Sequence, residues 1–133
     1  MASIHKEISL SSSPAAVWDV VRDIGAVHTR FAPGFVTDTK MDGDDRIVTF
    51  ANGFVAREVI VDVDEARRRL AYSVRSERIS HHNASFQVLA EGHGSRLVWI
   101  ADVLPQAASE TVGAMMADGI QAAKRALDAL VEA

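Results

Sequence analysis

The chain has 133 residues, 48 % apolar and 24 % charged, with a formal net charge of −4. This is one domain with material for a single core, and its mild acidity argues against nucleic acid as a partner, since phosphate binding needs a concentrated positive face. Cysteine is absent, which excludes disulfides and thiol chemistry, and no apolar run approaches the roughly 20 residues of a membrane span.

The N-terminus, MASIHKEISL, lacks the basic start and long apolar core of a secretory signal, so a cytoplasmic protein is expected. Residues 3–10 alternate and read as a first strand. Ser11-Ser12-Ser13-Pro14 opens a short helix, with Ser13 capping free N–H groups and Pro14 at the first helical position, where its missing donor is not needed. Val17, Trp18, Val20, Val21 and Ile24 supply its buried side, and Gly25 interrupts it. Residues 26–31 read as a second short helix, ended by Ala32-Pro33-Gly34.

Regular turn signals follow. Asp42-Gly43, Asn52-Gly53, Asp64–Arg67 and Glu91–Gly94 separate runs rich in Val, Ile, Thr, Phe and Tyr, predicting six antiparallel strands near 35–41, 45–51, 54–63, 69–76, 81–90 and 95–103. The basic run Arg67-Arg68-Arg69 directly follows Asp64-Glu65 and reads as a solvated turn. After Pro105 comes about 25 residues of helical pattern, about 35–40 Å long. Its apolar stripe is Val112, Met116, Gly119, Ala123, Leu127 and Leu130. A helix this long needs a wide apolar partner, and the preceding sheet is the candidate.

Loop length sets which strand faces meet. A four-residue loop at 91–94 pairs Val88 with Leu97, Phe86 with Trp99 and His82 with Val103, an apolar side except for His82. The same reasoning pairs Phe50 with Val55, Val48 with Arg57, Val61 with Leu70 and Val59 with Tyr72. The expected inner face therefore carries Val48, Phe50, Val55, Val59, Val61, Leu70, Tyr72, Val74, Phe86, Val88, Leu97 and Trp99, with Arg57, Tyr72 and His82 as its polar groups. A one-residue slip would turn Arg57 outward and Glu58 inward. Gly119 removes a side chain where helix meets sheet, and Met115 and Met116, one turn earlier, are the flexible, polarizable type that lines adaptable apolar sites.

In this order of elements the chain resembles the SRPBCC superfamily (START-like, birch-pollen-allergen-like), in its polyketide cyclase/dehydrase and lipid-transport branch. The resemblance spans nearly the whole chain and rests on Ser13-Pro14-Ala15-Ala16-Val17-Trp18, Phe31-Ala32-Pro33-Gly34, Gly53 with Glu58 and Asp62, Leu70-Ala71-Tyr72-Ser73, and Gly94-Ser95-Arg96-Leu97-Val98-Trp99. It implies an α+β helix-grip fold, a curved antiparallel sheet of about seven strands around the C-terminal helix, with a cavity for an apolar molecule between them. Where the family often has Trp near the segment before the Pro-Gly, this chain has Arg30-Phe31.

The residues expected to bind ligand are Phe31, Val48, Phe50, Arg57, Val59, Tyr72, His82, Phe86, Trp99, Met115, Met116 and Gly119, with Phe31 and its loop at the entrance. His82 is the candidate general acid or base, against an inert histidine at the sheet rim; Tyr72 either orients a ligand carbonyl or closes the core with its hydroxyl at the edge. Arg57 anchors an anionic ligand group or pairs with an acidic neighbour. His81 and His82 point to opposite faces and make no metal pair. His5, His28 and His93 show no ligand spacing, so no metal site is expected; no glycine-rich loop opens a helix after a strand, so no nucleotide site is expected, and no other cofactor is expected. Three functions are open: a carrier or sensor of a lipid, polyketide or aromatic metabolite; a cofactor-independent aromatase/cyclase or dehydratase; and a protein-interaction module with a filled core. A monomer or homodimer is expected.

Overall fold

The computed structural model describes the backbone of residues 2–132 and the side chains of residues 2–130. Seven strands, β1 (Ala2–Leu10), β2 (Val36–Asp42), β3 (Asp45–Phe50), β4 (Val55–Asp64), β5 (Arg69–Arg75), β6 (His81–Glu91) and β7 (Gly94–Leu104), form one antiparallel sheet in the order β1-β7-β6-β5-β4-β3-β2. Helix α1 (Pro14–Val21) follows β1, and the long helix α2 (Ser109–Asp128) closes the chain against the sheet. This is the helix-grip arrangement. Among the described residues, no helix is long and apolar enough to cross a membrane.

Local chemistry explains the elements. The Ser13 hydroxyl accepts the Ala16 N–H at 3.2 Å, and Pro14 stands at the start of α1. The expected second helix is one wide turn, Val27–Phe31, in which the Ala32 N–H reaches back to the Val27 carbonyl at 2.9 Å. The terminal helix has 20 α-helical residues, about 30 Å, flanked by tighter turns at Gln106–Ala108 and Ala129–Glu132. Its far end is tied to the β1–α1 junction. Ser12 Oγ donates to the Leu127 carbonyl, the Ser11 N–H to Asp128 Oδ1, and Lys124 Nζ to the Ser9 carbonyl. Leu127 is fully buried there. Gly94 permits a close crossing: a Cβ at this position would lie 2.0 Å from the Leu10 carbonyl oxygen.

The β6–β7 register is the expected one, with Val88 opposite Leu97, Phe86 opposite Trp99 and His82 opposite Val103, although Glu91 and Gly94 also pair and leave a two-residue turn. Strand β4 is different. The Phe50 N–H donates to the Phe54 carbonyl at 2.8 Å, and the Asn52 side chain accepts the Phe54 N–H at 2.9 Å. The loop is therefore the three residues 51–53, with Gly53 at φ 89°. Val48 faces Ala56, Arg46 faces Glu58, and Ile47 faces Arg57. On the other side Ile60 faces Tyr72, a bulge falls at Val61, and Val63 faces Leu70. One residue of loop length thus turns the strand over as far as the bulge at Val61. Ala56, Glu58 and Ile60 point inward, while Val55, Arg57 and Val59 point out, and Val55 and Val61 are exposed.

Candidate functional site

A cavity of about 120 Å³ lies between the inner face of the sheet, α2 and the wide turn. Its back wall is an aromatic row set by cross-strand pairing. Tyr72 stacks on Phe86 with ring centroids 5.8 Å apart, Phe86 stacks on Trp99 at 4.6 Å, and Phe31 meets Phe86 edge-on at 5.1 Å. Val112, Met115, Met116 and Gly119 come from α2. At the β3–β4 turn Phe50 packs between Phe35 and Phe54. Phe54 lines the cavity yet is 42 % exposed, so the interior approaches the surface there.

One side of this apolar space is polar, and consecutive strands supply it. Arg46 (β3) and Glu58 (β4) are direct cross-strand partners, joined through Arg46 Nε and Glu58 Oε1 at 2.7 Å, with side chains 5 % and 9 % exposed. Arg46 Nη1 also donates to the Ile24 carbonyl at 3.4 Å, and its guanidinium carbon sits 5.4 Å from the Tyr72 ring centre. The Tyr72 hydroxyl (β5) accepts the Trp99 indole N–H (β7) at 3.0 Å. Burial pushes the Tyr72 hydroxyl far above its ordinary pKa, and the nearby Glu58 charge adds to this, so it stays protonated and keeps a hydrogen to donate.

His82 (β6) holds the last polar position. The β5–β6 ladder stops at Tyr72 opposite Ala84. Beyond it, side chains take over. The Val74 N–H donates to His82 Nδ1 at 3.0 Å, and Ser73 Oγ donates to the His82 carbonyl. With Nδ1 accepting, the hydrogen of the neutral ring is on Nε2. Burial, followed by the neighbouring His81, lowers the His82 pKa to about 4, so the ring is neutral near pH 7.

Of the residues expected to bind ligand, Phe31, Val48, Phe50, Tyr72, His82, Phe86, Trp99, Met115, Met116 and Gly119 all line this cavity, and Arg57 and Val59 do not. Both lie on the reversed strand β4. Arg57 points outward and pairs with Asp42 and Asp45, each at 2.7 Å, while Val59 faces Ser73 across the outer side. Phe31 is buried against Phe86 rather than placed at an entrance; Phe54 is the exposed aromatic of the lining. Arg46 and Glu58 were missing from the expected set. Arg46 shares the parity of Val48 and Phe50, both expected inside, so alternation along β3 already pointed it inward. Glu58 needed the correct turn.

A curved sheet gripping a terminal helix over an apolar cavity with one polar side defines a protein of the helix-grip class. The model of the polyketide cyclase / dehydrase and lipid transport family matches residues 1–133, and the chain belongs to that family. Among solved structures, the protein XoxI from Bacillus cereus superposes with a TM-score of 0.85 at 18 % identity, covering 98 % of this chain and 99 % of its own. A protein from Thermobifida fusca gives 0.76 at 23 % identity, with 96 % and 91 % covered. Norcoclaurine synthase from Thalictrum flavum, solved with dopamine and hydroxybenzaldehyde, gives 0.73 at 19 % identity, with 98 % and 86 % covered. Among curated proteins, none matches the sequence.

Proposed function

We propose that this protein is a carrier or sensor of a small hydrophobic molecule held between the sheet and α2. The observation that carries the reading is the cavity itself, apolar on most of its wall and polar along one edge, which is how sites for small organic ligands are built. Its volume of about 120 Å³ is below the roughly 300–1,000 Å³ of drug-sized sites and near the roughly 150 Å³ of an engineered cavity that accepts benzene. A one-ring guest fits that scale. Burying about 200 Å² of apolar surface contributes roughly 5 kcal/mol before association costs. The norcoclaurine synthase complex, with its two one-ring molecules, is a precedent for such guests in this fold.

Native mass spectrometry of protein purified from its own host tests the reading: a retained small molecule, released on denaturation, is expected. Trp99 lines the cavity and Trp18 does not, so a Trp18→Phe variant isolates a fluorescence reporter of the interior. If no apolar compound, small or large, perturbs Trp99 emission and nothing is retained, the carrier reading fails.

One observation favours cyclase or dehydratase chemistry as the second reading, namely a carboxylate inside the cavity. Glu58 Oε1 is bound by Arg46, whereas Oε2 makes no hydrogen bond among the described residues. His82 is less suited as a base, since its Nδ1 is taken by Val74 and its Nε2 carries a hydrogen. Tyr72 supplies only a donor. In this reading Glu58→Gln abolishes turnover and His82→Asn does not; the reverse pattern would return the role to His82.

A further inference from the structure

Several polar atoms on neighbouring residues of the cavity lining have no protein partner. Arg46 is bonded through Nε and Nη1, which leaves Nη2 free; Glu58 Oε2 is free; and the Tyr72 hydroxyl accepts from Trp99 but donates to nothing among the described residues. The buried side-chain atoms sealed from a water-sized molecule and lacking a partner are His28 Nδ1 and Thr39 Oγ1. The free atoms of Arg46 and Glu58 are not among them, although both residues are almost completely buried. A water-sized molecule therefore reaches them, and both residues line the cavity. Glu58 lies opposite Val74, two residues from Tyr72 on the same strand, and Arg46 lies opposite Glu58. Diagonal neighbours on adjacent strands are close enough for their side chains to meet around one ligand atom.

We infer that this cluster is a hydroxyl-recognition site: the cavity takes an uncharged one-ring molecule whose single hydroxyl donates to Glu58 Oε2 and accepts from Tyr72 or Arg46. The inference rests on the interior being a ligand cavity and adds the chemical class of the ligand. The cluster offers one acceptor and two donors, and a hydroxyl group has both capacities. A ketone would leave Oε2 unpaired. A carboxylate would place a second negative charge beside Glu58, and an ammonium a second positive charge beside Arg46. The Arg46–Glu58 pair is neutral overall, so a neutral guest leaves no uncompensated buried charge.

The test compares phenol, toluene, benzoate and benzylamine, which share the ring and differ in its substituent. Binding is followed by NMR shifts of cavity-lining residues in the intact protein. Phenol is expected to bind roughly tenfold or more tightly than toluene, reflecting hydrogen bonds to charged groups, with both ions weaker than toluene. Tyr72→Phe is expected to lower this preference several-fold. The double variant Arg46→Met/Glu58→Met removes both charges together, which avoids leaving one unpaired in the core, and is expected to bind toluene at least as well as phenol. Equal affinity of the wild type for phenol and toluene would overturn the hydroxyl site while leaving the apolar-cavity reading intact. Tightest binding of benzoate or benzylamine would overturn it in favour of an ion site. If no ring compound shifts a cavity resonance, the cavity reading fails for one-ring guests, and this inference fails with it.

Discussion

Two glycines on α2 test the placement of the cavity wall. Replacing a helix-interior glycine by alanine gains about 0.8–1 kcal/mol of intrinsic helix stability. At Gly113 the added methyl would meet Ile4 at 3.9 Å, an ordinary contact, so the full gain is expected. At Gly119 the same methyl would lie 3.0 Å from Phe35 Cε2 and 3.2 and 3.3 Å from Trp99 Cζ3 and Cη2. Trp99 yields only by giving up contacts, since it is stacked on Phe86 at 4.6 Å and its indole N–H is held by Tyr72 at 3.0 Å. Overpacking of this kind costs about 1–3 kcal/mol, so Gly119→Ala nets a loss of about 1 kcal/mol after the helix gain. The two variants should therefore differ by about 2 kcal/mol. Urea unfolding, with slopes unchanged between variants, measures this directly. Equal stabilisation by both substitutions would show that Trp99 does not press on the helix at this point, and the wall would have to be redrawn.

The register of β4 is tested by a pair of arginines. Arg46→Met strands the Glu58 carboxylate in the interior and is expected to cost about 3–5 kcal/mol, whereas Arg57→Met removes only solvent-facing pairs with Asp42 and Asp45 and leaves the unfolding midpoint unchanged; the opposite ranking would restore the alternative register. His82 predicts an acid-sensitive window. Its pKa falls from 6.5 in the unfolded chain to about 4 in the folded protein, so the unfolded state takes up the proton first. The stability held by the neutral ring is complete above pH 6.5 and is lost as pH falls toward 4, on the order of 3 kcal/mol in total. His82→Asn keeps an acceptor for the Val74 N–H, leaves His81 and Asp102 in place, and should flatten the stability profile between those limits; an unchanged slope would remove His82 as its source.

Most of the fold was legible because several signals agreed. In β6 and β7 the apolar residues fall on one parity, Phe86 and Val88 against Leu97 and Trp99, and a slip would have buried Gln87 and Arg96. The Ser13-Pro14 start and the stripe through Met116, Gly119, Ala123 and Leu127 were equally consistent, and those four stripe residues are buried. Strand β4 is where the signals conflicted. VAREVIVDVD sets Val55, Val59, Val61 and Val63 on one parity, against Ala56, Glu58 and Ile60 on the other. Hydrophobic patterning alone selects the valine side. The structure buries the other, because the three-residue turn at 51–53 sets the pairing and Arg46 neutralises Glu58 inside. An alternation rule treats each strand alone, whereas this choice depends on a charge two strands' pairing brings opposite.

That reversal creates the division of labour in the site. The polar groups of the lining come chiefly from the sheet, with Arg46, Glu58, Tyr72 and His82 supplied by β3, β4, β5 and β6 in turn. Helix α2 contributes Val112, Met115, Met116 and Gly119, and the segment from α1 to the wide turn contributes Val20, Val21, Val27 and Phe31. Asp23, the acidic residue of that segment, is bonded to Arg30 at 2.9 Å. Orientation of a guest is therefore set by backbone ladders that hold neighbouring strands in fixed register, which is where small errors in hydrogen-bond geometry cost most. Volume is set by the helix, where Met115 or Met116 can be exchanged without adding or removing a polar group. Changes on α2 should alter which sizes of ring fit, and changes in the row from Arg46 to His82 should alter which functional group is accepted.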